Sequence, residues 1–337
     1  MKKILFLLLP FFCCLLASAQ GSKPLLTLDN YAIPVGESGA IIGKVISPDN
    51  QKVSLSKDAS KLFEIDKQGN LKLKKNKQLD DQSPISYEIT IKHGKDLKKF
   101  ELVKDNFARN KVIAHRGAWK KHEVSNNSMS SLKYAIDLGC EGTEIDVWMS
   151  KDNVVVLSHD PTIGGKTVEE TTAEDLSNIS LKNGDFVPTL EETIKEIKKQ
   201  NKTKLVIEIK GTRVGKPISD SVVSLVHRMK AQGWVDYIAF GMEYLVRVKE
   251  LDPTAIVAYL GSDKTLEELN EANMDGIDFH QSIFTKDTEL VNKAKVLGLT
   301  TNVWTVNNEE TLKKMLDQGL ERITTDEPEL LFRILNE

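Results

Sequence analysis

Two histidines, three carboxylates, an arginine and a lysine recur in this chain at or just past the ends of short apolar runs. His115–Arg116–Gly117 follows Val112–Ala114, Glu144 and Asp146 stand two residues apart, His159–Asp160 comes next, and Glu208 and Lys210 are again two apart. Side chains two apart on a strand point to one face, so each pair is presented together. Carboxylates gathered inside apolar strands are costly unless a cation or a proton offsets their charge. The all-oxygen set Glu144, Asp146 and Glu208 favours one hard divalent cation, Mg2+ or Ca2+, over zinc. His115 and His159 supply a base and an acid that work near neutral pH. Arg116 and Lys210 supply positive charge for a phosphate and its transition state. The set is a toolkit for cleaving a phosphodiester around a bound cation. One acidic pair or one histidine alone reads as a solvated or core residue; the ordered series on apolar strands carries the chemistry. His280, beside Asp278, is given a structural or peripheral role, and His122 and His227 are read as surface residues on a loop and a helix.

Such a site needs a scaffold that gathers strand ends. After Asp105–Asn110, apolar runs at Val112–Ala114, Glu144–Val147, Leu205–Ile209, Tyr237–Phe240, Ile256–Leu260, Gly276–Phe279, Thr301–Trp304 and Arg322–Thr325 alternate with helical segments. Ser128–Leu138 repeats apolar residues at helical spacing and stops at Gly139. Thr189–Lys199 opens with a capping box of Thr189 and Glu192. Ser219–Gln232 and Asp287–Leu297 end at Gly233 and Gly298. Eight strand–helix units predict an α/β fold, a (β/α)8 TIM barrel over residues 110–337, with its site at the carboxyl ends of the strands. A doubly wound open sheet is the runner-up, but its glycine-rich first turn is absent. Val154–His159 follows the second strand too closely for a helical crossover. Asp152–Asn153 is a tight-turn signal, so this run is the return arm of a hairpin that brings His159 back toward Glu144 and Asp146. Pro161–Val187 is then an insertion before the next helix.

The first part of the chain reads differently. Lys2 and Lys3, the apolar Ile4–Leu16 and the small residues Ala17–Ser18–Ala19 form a signal peptide over residues 1–19, too short to span a bilayer, so an exported, periplasmic or secreted protein is expected. A lipid anchor would need a cysteine after small residues, whereas Cys13 and Cys14 follow Phe11–Phe12. Cleavage leaves Cys140 as the one thiol, so stability must come from burial rather than a disulfide. A net charge of −3 and the lack of a long basic stripe argue against nucleic acid as a partner; the Lys72–Lys77 run is a solvated face or turn. Residues 23–105 carry strand signals at Ala40–Ile46, Phe63–Ile65, Leu71–Leu73 and Ile85–Ile91, separated by turns, and predict a small antiparallel all-β sandwich.

Phe63–Glu64–Ile65–Asp66, Gly69–Asn70–Leu71, Leu79–Asp80–Asp81 and Tyr87–Glu88–Ile89 make this first domain resemble a cadherin-like module, though the acidic calcium motifs of that family are largely missing. Adhesion, orientation of the barrel, or a homo-oligomer formed through it are the roles such a module implies. The second domain resembles the glycerophosphodiester phosphodiesterase family. His115–Arg116–Gly117, Asn127–Ser128, Glu144-x-Asp146–Val147, Lys151–Asp152, His159–Asp160–Pro161, Glu208-x-Lys210, Trp304–Thr305–Val306–Asn307 and Thr325–Asp326-x-Pro328 carry that likeness in order. It implies metal binding by Glu144, Asp146 and Glu208, with His115 as base and His159 as acid, two labels that can swap. It also implies phosphate binding by Arg116 and a substrate pocket lined by Lys210 and Trp304. Where the family usually has Pro-Glu-Asn-Thr, this chain has Ser125–Asn126–Asn127–Ser128, which bears on charge around the site and on substrate preference. The implied reaction releases glycerol 3-phosphate and an alcohol from a small glycerophosphodiester. A lysophospholipase D or sphingomyelinase D type of lipid phosphodiesterase, and a non-catalytic exported binding protein, are the rival expectations.

Overall fold

The computed structural model describes residues 25–49, 51–211 and 218–337; the expected signal peptide lies outside them. Residues 27–104 form two four-stranded sheets packed face to face. One contains Thr27–Leu28, Ile41–Ile46, Asn70–Leu73 and Phe63–Ile65; the other contains Ala32–Ile33, Asp96–Lys104, Ser86–His93 and Val53–Asp58. Alternating apolar residues from both sheets, among them Leu28, Ile33, Phe63, Leu71, Ile89, Ile91, Phe100 and Leu102, meet in one buried layer. The sandwich is not wholly antiparallel as expected, because Ala32–Ile33 runs parallel to Val103–Lys104 at the sheet edge.

The eight expected barrel strands are present: β1 (Val112–Ala114), β2 (Gly142–Met149), β3 (Lys204–Ile209), β4 (Val235–Ala239), β5 (Val257–Tyr259), β6 (Gly276–His280), β7 (Thr300–Trp304) and β8 (Arg322–Thr325). Each pairs in parallel with the next, and β8 pairs with β1, so the barrel is closed. Parallel strands covered by helices are buried on both faces, which is why β2 and β3 are mostly apolar around their acids. The barrel interior is layered. Lys204, Asp236, Arg322 and Glu141 form an ion-pair network near the amino end of the strands, with Lys204 Nζ 2.8 Å from Asp236 and Arg322 Nε 2.7 Å from Glu141. Ile113, Val206, Ile238 and Leu260 fill the middle. The charged residues of the site cap the carboxyl end.

Local sequence signals account for the helices. Ser128 caps Met129–Leu138 in a capping box with Ser131, and Gly139 ends it in the left-handed conformation, φ 75°. Thr189 and Glu192 form the expected capping box on Leu190–Ile197. The helix expected to reach Gln232 stops at Arg228, and a short 3-10 turn, Gln232–Trp234, buries Trp234 before β4.

The sandwich docks on the face opposite the barrel mouth. Leu25 N donates to Leu251 O (3.0 Å), Asn201 Nδ2 to Lys104 O (2.8 Å) and Lys198 Nζ to Glu101 Oε2 (2.7 Å). Gly233 lies so close to Val103 and Tyr31 that a Cβ there would come within 2.9 Å of Val103 Cγ1. This docking corrects the surface assignment of His227. Its ring is buried, with Nε2 2.7 Å from Asp252 Oδ2 and Nδ1 3.3 Å from Lys98 Nζ of the sandwich. Helical spacing alone cannot show that a second domain covers that face. His122 does lie on a loop, stacked on Tyr134 with ring centroids 3.7 Å apart. Among the described residues, Cys140 is buried without a disulfide, and no helix is long and apolar enough to cross a membrane.

Candidate active site

The mouth gathers the expected residues from β1, β2, β3 and β7. Glu144 and Asp146 share the inner face of β2, in register with Val206 and Glu208 of β3. Lys210 N donates to Val147 O (3.1 Å), which continues the ladder and puts Lys210 on the same face as Glu208. Carboxylate oxygens of Glu144, Asp146 and Glu208 all lie within 4.8 Å of one another, and all three residues are buried.

Burial and the charges of Asp146 and Glu208 push the Glu144 carboxyl well above its ordinary range. Burial and Asp146 push Glu208 up to about 8. Burial also works against an ionised Asp146, but Lys210, Arg116 and Asn127 outweigh it and hold its carboxyl below the usual value. Lys210 Nζ sits 2.5 Å from Glu208 Oε1 and 2.8 Å from Asp146 Oδ1, the second contact being an ion pair without hydrogen-bond geometry. Desolvation opposes the Lys210 charge, yet its two carboxylate neighbours raise its pKa. Glu144 Oε1 and Asp146 Oδ1 are buried acceptors without hydrogen bonds. Orphaned oxygens in an acidic trio fit a hard divalent cation, which would meet oxygen ligands from all three.

The helix that begins at Met129 shapes the Arg116 loop. Asn127 N donates to Arg116 O (3.0 Å), Ser131 Oγ donates to the same carbonyl (3.0 Å), and Arg116 N donates to Glu144 Oε2 (2.9 Å). Arg116 is held at φ 56° and Gly117 at φ 84°; a Cβ on Gly117 would fall 2.4 Å from Ser131 Oγ. Asn127 fixes Asp146 on two sides, donating from Nδ2 to Oδ2 (2.8 Å) and accepting from the Asp146 amide (3.0 Å). Arg116 Nε lies 3.3 Å from Asp146 Oδ2.

The two histidines stand on opposite supports. His115 Nδ1 meets Asp326 Oδ1 at 2.8 Å, just past the end of β8. His159 lies past the hairpin arm Val155–Leu157, which pairs antiparallel with β2 through Val147 and Leu157, as the turn at Asp152–Asn153 implied. Its Nδ1 is 2.8 Å from Asp160 Oδ1, and Trp148 Nε1 donates to its carbonyl (3.3 Å). Partial burial, with Arg116 and Lys210 nearby, depresses the His159 pKa despite the opposing pull of Asp146 and Asp160.

His115, Arg116, Glu144, His159, Glu208 and Lys210 line one side of a cavity of about 130 Å3; Ile238, Phe240, Leu260 and Trp304 line the other, with Asp278 and Thr324. Trp304 donates from Nε1 to Asp278 O (2.8 Å) and meets Phe240 edge to face. Arg116 and His159 also border a second cleft, walled by Trp119, Asn126, Asp160, Ile163, Leu181 and Lys182, so the insertion after His159 reaches the site. His280 caps the helix Gln281–Lys286, and its ring meets the cavity-lining Trp304 edge to face with centroids 5.1 Å apart. The sequence reading gave no role to Asp326, Asn127 or Asp278. Their partners lie on other strands or loops, and only barrel closure shows them.

A carboxylate trio that could hold a metal ion, beside two carboxylate-supported histidines and two cations, suits anionic ester cleavage. The family model described as the glycerophosphoryl diester phosphodiesterase family matches residues 115–330. The chain belongs to the glycerophosphoryl diester phosphodiesterase family. A glycerophosphodiester phosphodiesterase of Caldanaerobacter subterraneus is 30% identical over 239 residues, covering 66% of this chain and 97% of that protein. The crystal structure of a glycerophosphodiester phosphodiesterase from Parabacteroides distasonis is 38% identical, with a TM-score of 0.65, and covers 69% of this chain and 98% of its own. An Oleispira antarctica phosphodiesterase, solved in complex with the product sn-glycerol-3-phosphate, is 25% identical with a TM-score of 0.60 and covers 67% of this chain and 97% of its own. The family match begins at His115, so the N-terminal sheets lie outside the matched residues.

Proposed function

We propose that the protein hydrolyses small glycerophosphodiesters to glycerol 3-phosphate and an alcohol, with a divalent cation and histidine acid–base catalysis. The observation that carries this reading is the meeting of the carboxylate trio, both histidines, Arg116 and Lys210 around one cavity in a member of this family. Glu144, Asp146 and Glu208 would hold one Mg2+ or Ca2+ ion, which when bound draws charge from a phosphate oxygen and acidifies an oxygen nucleophile. Arg116 and Lys210 bind the remaining phosphate charge. His115, with Nδ1 engaged by Asp326, offers Nε2 as the base that takes the proton of the glycerol 2-hydroxyl as that oxygen bonds to phosphorus and the alcohol departs. Water then breaks the new bond between phosphorus and O2 of the cyclic phosphate, which gives glycerol 3-phosphate. His159 protonates the leaving alcohol in this reading, which its position beside both the cavity and the adjoining cleft supports. An anionic diester beside it counteracts the depression of its pKa.

Trp304, with Phe240 and Leu260, gives the glycerol carbons an apolar wall. The signal peptide and export belong to the same reading, as does a cadherin-like role for the sandwich, including self-association through it. Phosphorus NMR of products from a panel of soluble glycerophosphodiesters and lysophospholipids tests the substrate class. Glycerol 3-phosphate from the soluble diesters is expected. Cleavage of lysolipids alone would move the protein to the lipid phosphodiesterases, and no cleavage of either would favour a binding protein.

A further inference from the structure

The loop after β1 is tied to the start of the last helix, Pro328–Leu335, by three contacts in step. Trp119 Nε1 donates to Asp326 Oδ1 (3.2 Å), Lys120 pairs with Glu327, and His122 Nε2 lies 3.4 Å from Glu329 Oε1. The loop has further anchors that do not involve the indole: Ala118 N donates to Ser131 O (2.9 Å), and the His122 ring stacks on Tyr134. The Trp119 contact differs from its two neighbours in what it reaches. Asp326 Oδ1 also meets His115 Nδ1 at 2.8 Å, so a single carboxylate oxygen takes both the imidazole and the indole. Trp119 is half-buried and lines the cleft of about 380 Å3 beside the catalytic cavity of about 130 Å3, and Arg116 and His159 border both spaces. One residue therefore touches the support of the base on one side and the second cleft on the other.

We propose that Trp119 is a positioning and specificity-determining residue, whose indole N–H orients the Asp326 carboxylate toward His115 while its ring packs against the departing alcohol. The inference rests on the phosphodiesterase reading above and goes beyond it in naming the residue through which the alcohol half of the diester meets the base. Arg116 and His159 stand where the two spaces join. A phosphate held there has room for its glycerol half in the smaller space and for a bulky alcohol in the larger. A carboxylate with one donor can turn about its own bond. A second donor on the same oxygen, with Asn307 Nδ2 2.7 Å from the other, selects one orientation. Hydrogen bonds to a carboxylate are among the stronger ones, and a group that orients a histidine base acts on turnover more than on affinity. An indole whose N–H is already engaged presents carbon to the alcohol, a large apolar surface on a stiff side chain.

The test is steady-state kinetics of the Mg2+-supplemented full chain on two esters of glycerol 3-phosphate, one of methanol and one of myo-inositol. Both alcohols are neutral, so the charges of Arg116, Asp160 and Lys182 along the cleft do not enter the comparison. Trp119→Phe keeps an aromatic side chain and the other loop anchors but loses the N–H. Its kcat is expected to fall at least about 10-fold on both esters, the scale of one hydrogen bond to a charged group, with KM within about twofold of native. Trp119→Leu should show the same fall in kcat and also a KM raised about fivefold or more for the inositol ester alone. In an Asp326→Ala background, Trp119→Phe should cost no more than about twofold, because the carboxylate through which the indole acts is gone. A merely structural role would give equal losses in the two backgrounds. Trp119→Phe within about twofold of native kcat, the same loss with and without Asp326, or a KM change in Trp119→Leu that is equal for both esters overturns the proposal. A native protein that cleaves neither ester overturns the phosphodiesterase reading, and this inference with it.

Discussion

His115 Nδ1 and Asp326 Oδ1 lie 2.8 Å apart across the seam where β8 closes on β1. The carboxylate is itself held by Asn307 Nδ2 at 2.7 Å and Trp119 Nε1 at 3.2 Å. Burial alone would raise the Asp326 pKa, but His115, Asn307 and Trp119 together bring it below the usual carboxylate range. A fixed carboxylate on Nδ1 sets the imidazole tautomer and leaves Nε2 for the substrate. His115 is therefore as dependent on strand closure as on its own strand.

Asp326→Asn preserves the shape but removes the carboxylate that holds His115 Nδ1. Turnover is expected to fall about 100-fold or more, by analogy with other oriented histidine bases. Cation affinity should be unchanged. Steady-state kinetics across pH 5–9, with calorimetric cation titration, check this; a variant within about twofold of native turnover would remove the base role from His115.

The roles of the two histidines separate by leaving group. His159→Ala should slow a glycerophosphodiester with an alkyl leaving group by about 100-fold or more, because an alkoxide needs a proton as it departs. With a p-nitrophenyl leaving group, which departs without protonation, most of that loss should vanish. His115→Ala should be slow on both substrates. The reverse pattern would exchange the two assignments.

The charged residues of the mouth could be read from the sequence because each interrupts an apolar strand near its end. Glu144 and Asp146 on β2, and Glu208 followed by Lys210 on β3, owe their convergence to two-residue periodicity, a local property. Residues that act through partners far along the chain gave no such signal. Asp326 meets His115 from more than two hundred positions away, and Trp119 reaches the same carboxylate across a like distance. His227 was misplaced because the sandwich covers its helix face, and no periodicity within the helix encodes that docking. In the sandwich, Val53–Asp58 escaped notice as a strand because it is a largely exposed sheet-end strand with a polar sequence.

Protons and cation should compete for the trio. The folded-state pKa of Glu208 is raised from 4.5 to about 8, so between those values the folded protein keeps a proton that the unfolded chain releases. Its contribution to stability is complete at low pH and is lost as pH rises through that window. In chelator, native Tm should therefore drop relative to Glu208→Gln as pH goes from 5 to 8. Added Mg2+ or Ca2+ should raise native Tm more at pH 8 than at pH 5, because the cation displaces the proton. Parallel Tm curves for the two proteins in chelator would show that Glu208 ionises normally.

Gly117 is required by space and by conformation. Gly117→Ala would place a Cβ 2.4 Å from Ser131 Oγ at φ 84°. A loss of about 2–4 kcal/mol in urea unfolding is expected, the sum of overpacking and backbone strain. Arg116 should shift with it, weakening phosphate binding. A change below about 0.5 kcal/mol would mean that the loop relaxes freely.

The central claim is that cation-dependent cleavage occurs at Glu144, Asp146 and Glu208. The most direct measurement is the rate of glycerol 3-phosphate release from a soluble glycerophosphodiester by thoroughly chelated protein, then on titration with Mg2+ or Ca2+, for native protein and Asp146→Asn side by side. The account predicts negligible release in chelator, saturable recovery with cation for the native protein, and little recovery for the variant at any cation concentration. Undiminished release in chelator, or full recovery by Asp146→Asn, would contradict it.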